Sequence, residues 1–321
     1  MHTEIVMTLT SEELEKICIN AVRLSGNTIK SWGEDGRIGV RISGKDEPVT
    51  KSDLGVSAAW KKYFEACRFP IKVLTEESRN EPFYSPPDAK YLGIGDELDG
   101  TGNNKRARGI IPSCAIFTIF DNSNLRQVEG MENADGVFHN LAPKFSDAIA
   151  AAVLNHDTGD LWTASRGKGC FYDGKRVFTS KATGLGKDTY LYIDKGPCPT
   201  PELSLRVSNL ERKCWPRNIS CAGIHFAGVA SGSYSGWDGF LSFLQKPEEL
   251  AAGYLLVSEA GGVVIDPEGQ DIGAKVFDWN KIYEIIAAAT PQLSGEILKN
   301  VLSKEKASEL AALLDSAQKF G

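Results

Sequence analysis

Asp96-Glu97-Leu98-Asp99-Gly100-Thr101-Gly102-Asn103 is the stretch on which the reading of this chain turns. It follows an apolar run, Tyr91-Leu92-Gly93-Ile94-Gly95, that reads as a strand. Carboxylates gathered at a strand end raise one another's pKa, and hard divalent cations with oxygen ligands offset that cost. The Asp96-x-x-Asp99 spacing lets two carboxylates and the intervening carbonyl of Leu98 face one metal cluster. Gly100 and Thr101 then supply backbone N–H groups at the start of a helix, where a phosphate is readily held.

Two more acidic clusters lie along the chain. Thr75-Glu76-Glu77-Ser78 follows the strand-like Ile71-Lys72-Val73-Leu74, and Pro247-Glu248-Glu249-Leu250-Ala251-Ala252-Gly253 opens a helix. Taken singly, Glu76-Glu77 reads as a solvated pair and Asp99-Gly100 as a turn. Their combination with segments further along the chain changes the reading.

The run from Asp96 to Asn103 resembles the D-P-[IL]-D-G-T-x-N signature of the inositol monophosphatase family, part of the lithium-sensitive phosphatase superfamily that includes fructose-1,6-bisphosphatase. Four segments fall in the same order. Val49-Thr50-Lys51-Ser52-Asp53 is similar to V-T-x-x-D, and Thr75-Glu76-Glu77-Ser78 to G-E-E-S. Thr163 to Phe171 is similar to an A-x-x-G-x-G-A-F hairpin, and Ser258-Glu259-Ala260-Gly261-Gly262 to E-A-G-G. The resemblance runs from about Leu14 to Ala288. The Asp residues are too far apart for the D-x-D-G-T of haloacid-dehalogenase-type phosphatases, a scheme that also leaves Glu76 without a role.

The resemblance implies a layered αβαβα sandwich of the sugar-phosphatase type. Its N-terminal α+β half (1–184) carries the metal and phosphate site, and its C-terminal α/β half (185–321) faces substrate. It implies a Mg²⁺-dependent phosphatase, with two or three ions, that uses activated water on a phosphate monoester of a small polyol, sugar or nucleotide. Glu76, Asp96 and the Leu98 carbonyl would hold a first ion, and Asp96 and Asp99 a second. Asp53 and Thr101, joined by Glu76, would be the catalytic groups that polarise the attacking water. The Gly100 and Thr101 amides would bind phosphate. A homodimer is implied as well.

The departures bear on function. Glu249 stands where the family's P-W-D-x-A-A-G has its metal-binding Asp, keeping the charge but adding a methylene, and Mg²⁺ is exacting about ligand geometry. Ser242 falls where a family Glu contacts inositol hydroxyls, and His225 falls in a substrate-touching segment, so both are candidate substrate contacts. Loss of that Glu turns the expectation away from inositol monophosphate itself. A bisphosphate would need a second cationic pocket, for which Arg166, Lys168 and Lys246 are the candidates. The alternative is a catalytically impaired member that binds a phosphorylated ligand as a regulator or subunit.

The remaining elements follow from local patterns. Thr10 N-caps a helix with Glu13 closing a capping box and Leu14, Ile17, Cys18, Ala21 and Val22 on one face; Gly26 is its expected terminator. A second helix is expected over Val56–Cys67. Strands are expected at 115–120, 148–154 and 263–265, and a hairpin about Asp173-Gly174. Helices are expected over Pro247–Glu259, Leu293–Val301 and 303–319, the last with Leu310, Leu313 and Leu314 on one face. Asn133–Asp147 reads as a polar surface excursion.

With 321 residues, 42% hydrophobic and 24% charged, the chain has the composition of a globular protein with a sizeable core. A net charge of -6 with no basic run leaves no footprint for nucleic acid, and no apolar run is long enough for a membrane span. The N-terminus shows no signal-peptide pattern, and the seven cysteines form no C-x-x-C pair, so free thiols in the cytoplasm are expected. The expected partner is a small phosphorylated metabolite.

Overall fold

A computed structural model describes residues 8–40, 49–78, 82–87, 89–122, 126–127, 141–196 and 200–302. The expected helix at 303–319 and residues 133–140 of the expected excursion lie outside them. In chain order the elements are helix α1 (Ser11–Trp32), strands β1 (Gly39–Val40) and β2 (Val49–Thr50), helix α2 (Lys51–Cys67), and strands β3 (Ile71–Thr75) and β4 (Tyr91–Asp99). Helix α3 (Thr101–Ala107) precedes strands β5 (Cys114–Asp121), β6 (Arg126–Gln127), β7 (Leu141–Ala142) and β8 (Ala148–Asn155). Strands β9 (Leu161–Ser165), β10 (Gly169–Tyr172), β11 (Lys175–Val177) and β12 (Tyr190–Asp194) follow, then helix α4 (Pro201–Glu211) and strand β13 (Trp215–Arg217). Helices α5 (Ala222–Ala230) and α6 (Gly232–Ser235), strand β14 (Gly239–Gln245), helix α7 (Pro247–Glu259), strands β15 (Val263–Ile265) and β16 (Tyr283–Ala288), and helix α8 (Pro291–Val301) complete it.

The strands form two large sheets. One runs β11-β10-β9-β8-β5-β4-β3, antiparallel except for the parallel pair β3–β4; the other runs β13-β12-β14-β16-β15. Helices α1 and α2 pack on one face of the first sheet, where Ile17, Ala21, Val56, Trp60 and Phe64 meet Ile71, Val73, Phe117 and Ile119. Helices α5 and α7 lie between the sheets: Phe226, Leu250, Ala251 and Leu255 join Leu92, Ile94 and Ile116 of one to Phe240 and Ile285 of the other. Helices α4 and α8 close the far side, with Val207, Leu210, Leu293 and Ile297 against Leu191, Leu241 and Ile286. The result is an αβαβα sandwich. Every strand of the first sheet precedes Lys175–Val177 inclusive and every strand of the second begins at or after Tyr190, yet α5 and α7 share one core with both.

Local sequence explains the ends of the helices, with two corrections. Thr10 and Glu13 form the capping box of α1, but the helix runs through Gly26 to Trp32 and ends at Gly33, whose φ is +52°. Gly26 is needed for packing, since a Cβ there would lie 2.8 Å from Leu154. Helix α2 begins at Lys51, five residues before the expected Val56, because Thr50 and Asp53 form a second capping box. The hairpin at Asp173-Gly174 has both residues at positive φ, 47° and 74°, with Tyr172 opposite Lys175. At the far end of the expected polar excursion, Phe145 is instead fully buried against Phe277 and Tyr283.

The glycines of β4 admit aromatic rings rather than interrupting the strand. A Cβ on Gly95 would stand 2.7 Å from Trp60 and 3.0 Å from the Ile116 carbonyl oxygen, and one on Gly93 2.8 Å from Phe117. Trp60 and Phe117 meet edge to face with centroids 5.3 Å apart. Among the described residues no helix is long and apolar enough to cross a membrane. Gly95→Ala forces these rings and the β5 backbone apart, so it is expected to destabilise the fold by about 1–3 kcal/mol. Thermal unfolding checks this, and an unchanged Tm would show that the rings have slack.

Candidate metal and phosphate site

The parallel β3–β4 pair creates the site. Thr75 is the register partner of Gly95, so the residues that follow, Glu76 and Asp96, stand side by side where β3 ends and β4 runs on beside β5. A bulge between Asp96 and Asp99, against Ile116 and Cys114 of β5, turns Asp99 toward the same space. The Asp96 carboxylate holds this bend by accepting the Leu98 N–H at 2.8 Å. Gly100, at φ +80°, then reverses the chain into α3. From the second half, α7 begins with Pro247 in its first turn and brings Glu249 to the opposite wall.

These walls enclose a cavity of about 140 Å³. Glu76, Glu77, Asp96, Asp99 and Glu249 face it, with Leu98, the Gly100–Gly102 turn and Lys246. Oxygens of Asp96, Asp99 and Glu249 lie within 4.8 Å of one another. Burial pushes Asp96 and Glu249 well above the usual carboxylate range, and their negative neighbours push further. Burial also raises Asp99, opposed by the N–H of Gly223 at 2.7 Å and by the thiols of Cys114 and Cys221. Lys246, with Nζ 3.0 Å from Glu76 Oε1, is the cation facing these five carboxylates. Buried, oxygen-only and negatively charged, the residues fit a hard divalent cation.

Asp53 and Thr101 meet beside this cavity. Thr101 Oγ1 has Leu98 O at 2.9 Å and Asp53 Oδ1 at 3.2 Å as acceptors. Asp53 Oδ2 accepts the Thr50 N–H at 2.7 Å and the Thr50 hydroxyl. Burial lifts Asp53 to about 6; the Thr50 hydrogen bonds oppose that rise and the charges of Glu77 and Glu76 add to it. The structure therefore gathers Asp53, Glu76, Asp96, Leu98, Asp99, Gly100, Thr101 and Glu249 at one place.

His225 and Ser242 are not brought there. His225 is fully buried, between the rings of Tyr192 at 4.4 Å and Phe240 at 4.5 Å, and Nε2 accepts the Ile219 N–H at 3.3 Å. Burial holds it near 3, hence neutral, as a core histidine that pins the 219 segment. Ser242 lines a separate cavity of about 230 Å³ with Arg206 and Glu284, and its hydroxyl accepts the Leu244 N–H. The hairpin cations are elsewhere too: Arg166 Nε donates to the Ala148 carbonyl, and Lys168 lines a hollow of about 690 Å³ beside α1. Asp238 accepts from Ser180 and from the Tyr190 N–H, a structural tie.

Several residues have roles that only the structure reveals. Asn103 donates to the Pro112 and Ile219 carbonyls at 2.8 and 2.7 Å, fixing α3 to the segment before α5. Glu259 accepts from the N–H groups of Gly167 and Gly169 at 2.7 and 2.8 Å, so the E-A-G-G run locks the β9–β10 turn. Gln245 donates to the Glu249 carboxylate. Cys114 and Cys221 flank Asp99 from 15 and 122 positions along the chain, a separation no local pattern reveals.

Comparison with known proteins identifies the chain's relatives. The model of the Inositol monophosphatase family matches residues 140–306. A "Putative Nus factor SuhB" of Neisseria meningitidis serogroup B is 30% identical over 231 residues, covering 71% of this chain and 74% of that one. A "Fructose-1,6-bisphosphatase/inositol-1-monophosphatase" of Methanothermobacter thermautotrophicus is 25% identical over 275 residues, covering 84% and 88%. Among solved structures, the extragenic suppressor protein suhB of Bartonella henselae superposes with a TM-score of 0.71 at 23% identity, covering 90% of this chain and 98% of that one. The chain belongs to the inositol monophosphatase family.

Proposed function

We propose that the protein is a Mg²⁺-dependent phosphatase that hydrolyses a phosphate monoester of a small polyol, sugar or nucleotide. The observation that carries this reading is the convergence of Asp96, Asp99 and Glu249 within 4.8 Å, beside the Asp53–Thr101 contact. Glu76, Asp96, the Leu98 carbonyl, Asp99 and Glu249 would hold the ions. Bound Mg²⁺ supplies positive charge that lowers the pKa of water and stabilises attacking and leaving oxygens. Thr101 and Asp53 orient the water and take its proton, Asp53 being the carboxylate that its surroundings hold at about 6. The amides of Gly100 and Thr101 receive the phosphate.

The cavity's volume of about 140 Å³ leaves the alcohol part of the ester outside it. Of the three cations expected for a second phosphate, only Lys246 is at this site. Its ammonium competes with metal for Glu76 and repels ions from the cavity.

A second reading is a regulator or subunit that has lost turnover. It is favoured by Glu249 in the place of Asp, and by relatives whose printed name is Nus factor.

The deciding experiment is phosphate release from inositol phosphates, sugar bisphosphates and 3′-phosphonucleotides, with and without Mg²⁺. Turnover that needs Mg²⁺ and falls by about 10²–10³-fold or more in Asp99→Asn is expected. A folded protein that releases no phosphate from any of them hands the case to the second reading. In a second measurement, Lys246→Met is expected to lower the half-saturating Mg²⁺ concentration about tenfold, or about 1.4 kcal/mol, by removing a like charge. An unchanged Mg²⁺ dependence would mean that Lys246 lies outside the metals' electrostatic reach.

A further inference from the structure

Beside Asp99 stand two thiols that the phosphatase reading does not use. Cys114 Sγ and Cys221 Sγ each lie 3.4 Å from Asp99 Oδ2 and 3.5 Å from each other. We propose that Asp99, Cys114 and Cys221 form a second cation site, selective for a thiophilic divalent ion such as Zn²⁺, which competes with the Mg²⁺ site for Asp99.

The dimensions carry the proposal. Zinc with sulfur at about 2.3 Å and carboxylate oxygen at about 2.0–2.2 Å in tetrahedral array has a sulfur–sulfur edge of roughly 3.8 Å and sulfur–oxygen edges of roughly 3.5 Å. The three observed edges differ from these by a few tenths of an ångström or less.

The triangle is also held rigidly. Asp99 and Cys114 are register partners across β4 and β5, and Cys221 is the N-cap residue of α5. Gly223 locks the carboxylate through its N–H at 2.7 Å, and a Cβ on Gly223 would lie 2.6 Å from Cys114 Sγ. Both thiols are buried, at 0 and 1% exposure, and Asp99, which they flank, lines the acidic cavity.

Soft thiolate ligands prefer Zn²⁺ to Mg²⁺, so the two ligand sets that share Asp99 select different metals. Binding exchanges two Sγ–H protons, released to solvent, for the ion. A zinc ion here withdraws Asp99 from its acidic neighbours, so thiophilic metal would inhibit by competition for one shared carboxylate. That consequence rests on the phosphatase reading; the existence of the sulfur site does not.

The test reads binding rather than turnover. The full chain, stripped of metal, is titrated with Co²⁺ alone as the spectroscopic stand-in for Zn²⁺. One ion per chain with a thiolate-to-cobalt charge-transfer absorption is expected, and excess Mg²⁺ should weaken its binding. The absorption should vanish in Cys114→Ser and in Cys221→Ser. Affinity in each should fall by more than the roughly 10–100-fold that loss of an outer-shell partner brings. Zinc-edge X-ray absorption of the unsubstituted protein, which does not depend on the variants folding, should show two sulfur neighbours at about 2.3 Å. A shell of oxygen alone, or a thiolate-to-cobalt absorption that both serine variants retain, overturns the proposal.

Discussion

Repulsion among carboxylates is the constraint around which this protein is arranged. Five face one cavity of about 140 Å³, with Lys246 as the opposing charge among the residues that line it. Burial makes the ionised forms of Asp96, Asp99 and Glu249 more expensive, and their neighbours' charges add to the cost for Asp96 and Glu249. Such a cluster persists only if the backbone beneath it cannot relax outward. The two parallel strands β3 and β4 supply that backbone, because their register places Glu76 and Asp96 in neighbouring positions. The bulge that follows brings Asp99 to the same side, which a regular strand would not do three residues on.

The middle layer transmits the constraint to the rest of the molecule. Helix α7 is buried on both sides, with Phe226 so close that a Cβ on Gly253 would lie 2.3 Å from its ring. Its first turn carries Glu249 into the cavity, where the positive end of the helix favours a carboxylate. Its last residue, Glu259, accepts the two N–H groups of the β9–β10 turn. One helix thus ties the acidic site to the far edge of the first sheet, and displacement of either end is felt at the other.

The first capping box, the strand runs and the acidic clusters are legible in sequence because each is written in residues only a few positions apart. Thr10 with Glu13, Asp173-Gly174 and Asp96-x-x-Asp99 are of this kind. Some local signals have two physical causes. Gly26 reads as a helix stop but serves close packing on Leu154, and Thr50–Asp53 reads as a catalytic motif but is also the cap that starts α2. The ring contacts of His225 and the facing of Ser242 depend on the second sheet, which no local pattern shows. The two cysteines beside Asp99 come together only through the tertiary fold.

The changes around Glu249 are best understood as one mechanical unit. A longer side chain in a fixed cavity must fold back or be held off, because a small hard cation such as Mg²⁺ would tolerate little error in ligand position. Strand β14 shifts register between Ser242 and Gln245, and Gln245 is buried with its amide on the Glu249 carboxylate. The next residue, Lys246, reaches Glu76 across the cavity at 3.0 Å. Three consecutive departures from a plain strand-to-helix turn therefore bear on the same carboxylates: a bulge, an amide that anchors the extra length, and an ammonium that offsets charge. A substitution at Glu249 alone would alter only ligand length. Together with Gln245 and Lys246 it alters how tightly the site's negative charge is held, which is the property that sets both metal affinity and the choice of metal.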